Sequence, residues 1–274
     1  MISIILPTYN GAKWIRSSIE SVQAQSYGDW ELLVIDDGSV DNTKEIVGNL
    51  AIQDSRIRYI KNEKNLGIQK TLNRGLKEAK GEYIARIDDD DRWIDKEKIQ
   101  KQLTFLEENS NYVLVGTGTI VVDEEGHELF RYLGPKTDKE IRNRILSKNC
   151  FTHSSVMFKK TPAIQCGGYS ESQDVIHLED YDLWLKLGMI GKFHNLSIYG
   201  TQFTLRDEGM SVKNKPHQFK KNIKLVKFYK DKYPNYFKSL LFNYFKFFAY
   251  KIYSKISKFI PLNYIKNKIM SIYK

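Results

Sequence analysis

The sequence predicts an α/β fold with a Rossmann-like, mainly parallel sheet, helices on both faces and a basic amphipathic helical tail at the C-terminus. First, short apolar runs alternate with helical patterns over residues 1–90, which indicates parallel strands joined by right-handed crossovers. Second, 274 residues that are 41% hydrophobic are enough for a sizeable core. Third, charge and aromatic content change abruptly near residues 207–216, which marks the start of the tail.

Four apolar runs in the first half predict strands at 2–6, 30–35, 56–61 and 82–87. Helical patterns lie between them, the first from about 12 to 24, the second ending near 52 and the third ending at Gly81. We expect Asn10 to cap the first helix, and Asp41 or Asn42 to cap the second.

The pattern loosens after residue 92. It predicts helices at about 95–108, 137–147 and 179–191. It also predicts strands around a hairpin turn at Glu125-Gly126, a strand in "SSVMFKK", and two strand-like runs that end the body. An α/β half is therefore followed by a mixed half.

Cysteine content and the N-terminal sequence bear on the compartment. The two cysteines, Cys150 and Cys166, are too few for a disulfide framework and predict reduced thiols. Met1 leads directly into an apolar run without the basic segment of a signal peptide. No stretch reaches the roughly 18–20 uncharged apolar residues of a spanning helix. We therefore expect a cytoplasmic protein.

The tail from Val212 onward holds 16 lysines and one acid, Asp231, whereas the rest of the chain carries 27 basic and 32 acidic residues. It also holds 16 of the 35 aromatic residues, on apolar faces at helical spacing interrupted by Pro234 and Pro261. Such helices are typical of proteins that associate with anionic membrane surfaces. Packing of the tail on the body is the alternative, and we expect no nucleic-acid partner.

Three polar clusters follow predicted strands, at the end of the sheet where open parallel sheets bind ligands. They are Pro7 to Asn10, Asp36 to Ser39, and Asp88 to Asp91. The glycine-rich patterns that usually cradle phosphates are absent from the sequence. An acidic rim binds a diphosphate through a divalent cation, and carboxylate oxygens suit Mg²⁺ or Mn²⁺. The alternative for the four aspartates is a solvated turn that caps the next helix.

Four motifs in this order, "SIILPTYN", "ELLVIDDGSVDNT", "NLGIQKTLNRGLKEAKGEYIARIDDDD" and "HLEDYDLWLKLG", resemble family 2 glycosyltransferases, which have the GT-A fold. The resemblance covers about residues 2–205. It implies a catalytic domain at 1–210, with a nucleotide-binding half at 1–91 and an acceptor half at 92–210. Residues 211–274 form the basic helical tail, which we interpret as a membrane-association module.

The resemblance also implies which residues bind the nucleotide sugar. They are Pro7, Thr8, Tyr9, Asn10, Asp36, Asp37, Asn65, Gly67, Asp88 and Asp89. Thr8 and Tyr9 are expected against the base and ribose, and Asp36 or Asp37 is expected to accept a hydrogen bond from uracil. The structural alternatives are a packed aromatic for Tyr9, Asx turns for the aspartates, and a helix cap with a turn glycine for Asn65 and Gly67.

The acid cluster matches the family's metal-binding Asp-x-Asp in two frames. Asp88/Asp90 follows the family pattern better than Asp89/Asp91, so Asp90 and Asp88 are the expected ligands of Mn²⁺ or Mg²⁺. Asp90 is the first choice. Asp91 is expected to support the site without being a main ligand.

Asp180 matches the family's catalytic aspartate, with Glu179 beside it. Direct attack by an acceptor hydroxyl that is deprotonated by one carboxylate inverts the anomeric centre. The structural alternative is that both acids only stabilise a helix N-terminus. We interpret Asp182, one turn into the same helix, as facing solvent.

His153 and Trp184 are the candidate acceptor-binding residues, although a buried hydrogen bond for His153 and a core position for Trp184 are the stronger interpretations. A metal-binding role for His177 is not favoured. The Gln-x-x-Arg-Trp pattern of processive members is absent, which predicts addition of single sugars.

Together these features predict an inverting, metal-dependent transferase. It would move one sugar from a nucleotide sugar, with UDP as the expected nucleotide, to a hydroxyl of a glycan or polyprenyl-linked acceptor in bacterial surface-polysaccharide assembly. The expected location is the cytoplasm, peripherally at the inner face of the membrane. The alternative is a catalytically inactive nucleotide-sugar-binding or membrane-adaptor protein.

Overall fold

The structure, a computed structural model, describes residues 1–206 and 215–256. Its first half alternates strands and helices as the apolar runs predict. The order is β1 (Ile2–Thr8), α1 (Ile15–Gln23), β2 (Trp30–Asp36), α2 (Thr43–Gln53), β3 (Ile57–Lys61), α3 (Ile68–Glu78) and β4 (Tyr83–Arg86). Every residue of β1, β2 and β4 is buried, which explains why these strands appear as continuous apolar runs rather than alternating patterns.

The second half mixes short and long elements. They are β5 (Arg92–Trp93), α4 (Lys98–Glu108), β6 (Tyr112–Val122), β7 (Glu128–Tyr132), α5 (Asp138–Ile145), β8 (Met157–Lys159), α6 (Lys160–Gln165), α7 (Glu179–Leu187) and β9 (Lys192–Thr204). Two short 3₁₀ turns lie at His153–Ser155 and Gln173–Val175. The two strand-like runs predicted at the end of the body form one long strand, β9, whose pairing with β6 shifts register between Thr117 and Thr119.

One sheet connects both halves in the order β3-β2-β1-β4-β8-β6-β9-β5, with β7 beside β6. The first four strands in this order are parallel, as predicted. β8 then runs antiparallel to β4 and β6, β9 runs parallel to β6, and β5 runs antiparallel to β9. The sheet is therefore parallel where the nucleotide loops are expected and mixed beyond it.

Each face of the sheet carries its own apolar core. Ile4 of β1 packs with residues of α1, α2 and α4, whereas its neighbour Ile5 packs on the opposite face with residues of α3, α5, α6 and α7. This division follows from the alternation of side chains along a strand. The predicted helices on both faces are confirmed.

The first part of the tail forms two helices, α8 (Lys215–Phe228) and α9 (Tyr236–Ile256), which pack on the body. Leu225, Val226 and Tyr229 are buried in the same core as α7. The Tyr229 hydroxyl donates a hydrogen bond to Asp182 Oδ1 over 2.9 Å. Asp182 is consequently only 4% exposed, and the prediction that it faces solvent is wrong because α8 covers it.

No helix of residues 1–206 and 215–256 combines the length and apolar character that crossing a membrane requires. The apolar face predicted around Ile265, Ile269 and Ile272, together with Pro261, lies outside the described residues.

Candidate active site

A cavity of about 710 Å³ opens where β1 and β4 end and where α7 begins. Twelve of the fifteen residues predicted for the site line it: Pro7, Thr8, Tyr9, Asp37, Asn65, Gly67, Asp88, Asp89, Asp90, His153, Glu179 and Asp180. Asn10, Asp36 and Trp184 do not line it. Parallel strand order therefore brings three sequence-distant clusters together, as chain geometry predicts.

The two aspartates in the loop after β2 have different surroundings. Asp36 is fully buried and accepts hydrogen bonds from the Ser39 backbone N–H over 2.7 Å and from the Tyr59 hydroxyl, so it holds the loop. Asp37 borders the cavity and accepts from the Leu66 N–H over 2.8 Å and from the Gly67 N–H over 2.9 Å. The structure thus favours Asp37 over Asp36 as the carboxylate that contacts a base.

Gly67 adopts a φ of 89° at the edge of this pocket, a conformation that favours glycine. Its N–H is fixed by Asp37, so the turn beside Asn65 and the loop after β2 form one unit. Tyr9 is 50% exposed at the rim, as a side chain that stacks on a ligand would be.

Asn10 lies outside the cavity and does not cap α1. Its side-chain oxygen accepts a hydrogen bond from the Val40 N–H over 3.0 Å, and its own N–H donates to Ser39 Oγ over 2.8 Å. The residue at the N-cap of α1 is Trp14, which makes no side-chain capping bond. The predicted capping role is wrong because Asn10 joins the loops after β1 and β2 instead.

The four aspartates after β4 point in different directions. Asp88, Asp89 and Asp90 line the cavity. Asp91 is fully buried, where it accepts hydrogen bonds from the Thr204 N–H over 3.1 Å and from the Ser154 hydroxyl. This position argues against the frame Asp89/Asp91 and makes Asp91 a support of the loop.

The three cavity-facing carboxylates each have a neighbour. The Arg86 guanidinium lies 2.5 Å from Asp88 Oδ1, the Thr8 hydroxyl donates to Asp89 Oδ2 over 2.5 Å, and Arg206 Nε lies 2.8 Å from Asp90 Oδ2.

Burial and mutual repulsion dominate the electrostatics of this cluster. Burial opposes ionisation of Asp88, but the charge of Arg86 and its hydrogen bond leave the pKa of Asp88 lowered. Burial raises the pKa of Asp89 to about 6. Burial, with the charges of Asp88 and Asp89, raises the pKa of Asp90 to about 7. The cluster holds more negative charge than Arg86 and Arg206 compensate.

This donor set fits a hard divalent cation, because three carboxylates face one cavity and their charge is incompletely balanced. In the arrangement described, Arg206 occupies Asp90. Among the described residues, only one group of three His, Cys, Asp or Glu side chains has ligand atoms within 4.8 Å of one another. This group is Asp123, Glu125 and His127 in the β6–β7 turn, outside the cavity. The carboxylates of Asp88, Asp89 and Asp90 do not converge this closely, and Arg206 Nε lies against Asp90 Oδ2, so a cation shared by the three requires these side chains to rearrange.

Glu179 and Asp180 begin α7 and line the same cavity. The Asn149 side-chain amide donates to Asp180 Oδ2 over 3.0 Å, and burial raises the pKa of Asp180 to about 6. Glu179 is 8% exposed, and its Oε2 has no hydrogen-bond partner within the described chain. Burial and the charge of Asp180 raise the pKa of Glu179 to about 7. Asp180 is thus an oriented carboxylate near the pKa that suits a base at neutral pH.

His153 borders the cavity, with Nε2 3.1 Å from the Tyr169 hydroxyl. Burial, with the charge of Arg86, lowers the pKa of His153 well below its ordinary value, so the imidazole is neutral at pH 7. Trp184 has no exposed surface and packs edge-on against Phe151, His153 and Phe158. The acceptor-binding prediction for Trp184 does not fit this core position.

Among the cavity residues that the sequence interpretation did not predict, Arg86, Asn149 and Arg206 contact the predicted carboxylates directly. Arg86 is a fully buried cation inside an otherwise apolar strand, and that anomaly in "YIARI" is the signal that could have found it. Arg206 follows the last strand of the body, and Asn149 lies in a loop. Neither position carries a pattern in a single sequence that distinguishes it from a surface residue.

The sequence is similar to a known protein family and to characterised members of it. The family model described as Glycosyl transferase family 2 matches residues 3–166. The amylovoran biosynthesis glycosyltransferase AmsE of Erwinia amylovora is 32% identical over 193 residues, which cover 70% of this chain and 71% of AmsE. The UDP-Glc:alpha-D-GlcNAc-diphosphoundecaprenol beta-1,3-glucosyltransferase WfgD of Escherichia coli is 34% identical over 193 residues, covering 68% of this chain and 69% of WfgD.

Solved structures resemble the chain over most of its length. Residues 1–349 of S. aureus TarS in complex with UDP-GlcNAc superpose with a TM-score of 0.70 at 19% identity, covering 96% of this chain and 76% of that one. The mannosyltransferase PcManGT of Pyrobaculum calidifontis, in complex with GDP-Man and Mn²⁺, gives a TM-score of 0.64 at 19% identity, covering 88% and 68%. These likenesses concern the fold, and they confirm the predicted GT-A architecture.

Proposed function

The chain belongs to glycosyl transferase family 2, and we propose that it transfers one sugar, with inversion, from a UDP-linked donor to a hydroxyl of a lipid-linked glycan acceptor. One observation carries the proposal. A single cavity is lined both by a cluster of carboxylates at the end of β4 and by an oriented carboxylate at the start of α7. The first suits the diphosphate end of a donor, and the second suits an attacking hydroxyl.

In the proposed reaction the acceptor oxygen bonds to the anomeric carbon while the bond from that carbon to the diphosphate oxygen breaks. The hydroxyl proton passes to Asp180, whose Oδ2 is held by Asn149. Attack from the side opposite the leaving group inverts the anomeric centre. Burial and the charge of Asp88 raise the pKa of Asp180 and thereby favour proton acceptance, and Glu179 lies beside it in the sequence and in the cavity wall.

Asp90 and Asp88 are the proposed metal ligands, with Asp89 beside them. When bound there, Mn²⁺ or Mg²⁺ would neutralise charge on the leaving diphosphate. PcManGT was solved with Mn²⁺, which supports a divalent cation in this fold. Arg206, displaced from Asp90, is then a free guanidinium at the cavity edge and suits the phosphates of the donor.

UDP is the proposed nucleotide because Asp37 presents a carboxylate at the end of the cavity bordered by Tyr9 and Asn65. A carboxylate accepts the N3–H of uracil. TarS was solved with UDP-GlcNAc and WfgD is named for UDP-Glc, which supports the choice.

The proposed acceptor is a glycan on a polyprenyl diphosphate, used in assembly of a surface polysaccharide. WfgD is named for a diphosphoundecaprenol-linked acceptor and AmsE for amylovoran biosynthesis, and both names support this class of acceptor. Such an acceptor lies in the membrane, so we also propose that the protein works peripherally at the inner membrane face.

A panel of nucleotide sugars tests the proposal. Each donor is incubated with the full chain, with Mn²⁺, Mg²⁺ or EDTA, and release of the nucleotide is measured. We expect one UDP-sugar to be hydrolysed or transferred well above the others, and EDTA to abolish the signal. Turnover of no UDP-sugar, together with no metal-dependent UDP binding in calorimetry, would favour an inactive binding protein instead.

A further inference from the structure

The outer face of α9 carries a row of exposed apolar side chains, which we call the α9 stripe. Its members are Phe237 (78% exposed), Leu241 (71%), Phe245 (68%), Phe248 (56%) and Ile252 (61%). At 100° per residue these positions fall within about 80° of the helix circumference, so they form one continuous strip. A soluble monomer rarely leaves such a strip in water, because contiguous exposed apolar patches usually mark an interaction site.

The rotation of α9 that exposes the stripe is fixed by its opposite face. Asn243 donates to the Leu146 carbonyl over 3.0 Å, Lys246 Nζ donates to the Ser147 carbonyl over 2.7 Å, and the Ser239 and Ser147 hydroxyls lie 2.8 Å apart. Ser239 and Asn243 are buried. Turning the stripe inward would break these bonds and bury polar groups without partners. The stripe is therefore held outward.

The charge around the stripe indicates what covers it. Residues 215–256 contain 11 lysines and one acid, Asp231. Lys238 and Lys251, both exposed, flank the stripe on its two sides. A second copy of the chain would bring two such basic surfaces together, which electrostatic repulsion opposes. An anionic lipid surface complements both features, because acyl chains accept the apolar side chains and headgroups attract the lysines.

The helix that pairs with α9 reaches the cavity. α8 and α9 run antiparallel, with the Phe219 ring 5.4 Å from the Tyr250 ring and Asn222 donating to Asn243. Gln218, near the start of α8, lines the cavity, and Lys221 Nζ donates to the Ile176 carbonyl in the cavity wall over 3.3 Å. The C-terminal half of the α9 stripe therefore lies on the same end of the helix pair as the cavity.

We propose that the α9 stripe enters the interface of an anionic bilayer and seats the enzyme with the α8 end of the cavity toward the headgroups. The inference rests on the proposed function for its acceptor, since a sugar on a membrane-embedded lipid would meet Asp180 from that side. The chemical class recognised by the stripe is an anionic lipid surface, through apolar insertion and lysine attraction together.

Co-sedimentation of the full chain with vesicles tests whether the α9 stripe binds a bilayer. The vesicles contain phosphatidylcholine alone or phosphatidylcholine with phosphatidylglycerol. The test variant is Leu241→Glu/Phe245→Glu, and the matched control is Ile52→Glu/Ile164→Glu, which makes the same change at exposed positions on α2 and α6. We expect wild type and control to bind the anionic vesicles, and the test variant to bind at least tenfold more weakly, with circular dichroism unchanged.

Three results would overturn the inference. The first is equal vesicle binding by the test and control variants, and the second is no binding by the wild type. The third is a wild-type dimer in sedimentation equilibrium that the test variant alone dissociates, which would assign the stripe to a second copy.

A second readout separates this inference from the proposed function. Metal-dependent UDP binding in solution is expected to be the same in the test variant and the wild type, because no stripe residue touches the cavity. If wild type binds vesicles through the stripe but turns over no UDP-sugar, the proposed function is wrong and the membrane-binding role of the stripe is supported. If UDP-sugars are turned over but vesicle binding is absent or independent of the stripe, only the membrane-binding role is wrong.

Discussion

Asp180 and Asp182 lie two residues apart on α7, yet their surroundings assign them different tasks. Asp180 borders the cavity and is held by the Asn149 amide. Asp182 points into the protein, 2.7 Å from Lys186 Nζ and hydrogen-bonded to Tyr229. Side chains two positions apart on a helix point in different directions, so a short acidic motif places one carboxylate at the cavity and the other in the packed interior.

Replacing Asp180 with Asn tests its role as the base. We expect transfer to fall by about 100-fold or more, because an amide cannot accept the hydroxyl proton, while UDP affinity stays within about twofold. Initial rates and calorimetry measure the two quantities. Asp182→Asn is the matched control, and it is expected to lower thermal stability more than turnover. Wild-type rates in Asp180→Asn would contradict the assignment.

The pH dependence of turnover reports the same carboxylate. Burial raises the pKa of Asp180 to about 6, while the hydrogen bond from Asn149 favours the ionised form. A base acts only when ionised, so kcat/KM is expected to fall as the pH drops through about 6. Asn149→Ala removes the favourable bond and is expected to move this acid limb to higher pH. An unchanged limb would show that another group controls the rate.

Arg206 is paired with Asp90, so it would compete with a cation for that carboxylate. In Arg206→Ala we expect Mn²⁺ to bind more tightly in the absence of nucleotide, because no guanidinium has to leave Asp90. UDP binding in the presence of Mn²⁺ is expected to weaken by about tenfold, the usual magnitude for a charge-assisted hydrogen bond. Calorimetric titrations with metal alone and with UDP measure both. Arg92→Ala, at an exposed arginine of β5 outside the cavity, is the control.

At the scale of elements, α7 connects the cavity to the tail. Its N-terminal end supplies Glu179 and Asp180, and its buried face contacts Leu225 and Val226 of α8 and Tyr229 just beyond the end of α8. The hydroxyl of Tyr233 adds a 2.6 Å hydrogen bond to the Leu185 carbonyl. The tail therefore supports the helix that carries the proposed base.

Tyr229→Phe isolates this connection. The change leaves Asp182 without one of its partners in a buried position, so the free energy of unfolding is expected to drop by about 1–3 kcal/mol. Urea denaturation measures the change. Tyr244→Phe, on α9, is the control and is expected to have less effect, because Tyr244 is only partly buried. Equal effects of the two substitutions would argue against a specific α7–α8 bond.

At the scale of the whole molecule, the first half is predictable because its signals are local. β1 and β2 are mostly apolar runs that are buried along their length, and parallel order then places Thr8, Asp37 and Asp88 at one edge without further information. The carboxylate at Asp180 required the family resemblance, since an acid at a helix start has a structural explanation of its own.

The remaining features depend on contacts between distant parts of the chain. The burial of Asp182 depends on Tyr229, 47 residues later, and the division of Asp88 to Asp91 depends on Ser154 and Thr204. The periodicity of apolar residues within a short stretch of sequence gives no information about such long-range contacts. The same reason explains why the sequence analysis did not identify Arg206, which forms an ion pair with Asp90.

Removing the tail is expected to destabilise the body. A chain that ends at residue 206 lacks Leu225, Val226 and Tyr229, all buried in the core shared with α7. Each large buried apolar side chain contributes about 1.5–3 kcal/mol, so the unfolding midpoint in urea is expected to fall well below that of the full chain. Coincident unfolding curves for the two chains would contradict this account.

The packing of α8 against α7 also sets an order of events during synthesis. Residues that cover α7 lie about 45 positions beyond it, so the apolar side of that helix stays uncovered on the ribosome until Tyr229 and Tyr233 have emerged. A nascent chain can assemble its parallel sheet before this time, but the helix bearing Asp180 takes its final position later. The side of the cavity formed by β1, β2 and β4 is therefore expected to assemble before the side formed by α7.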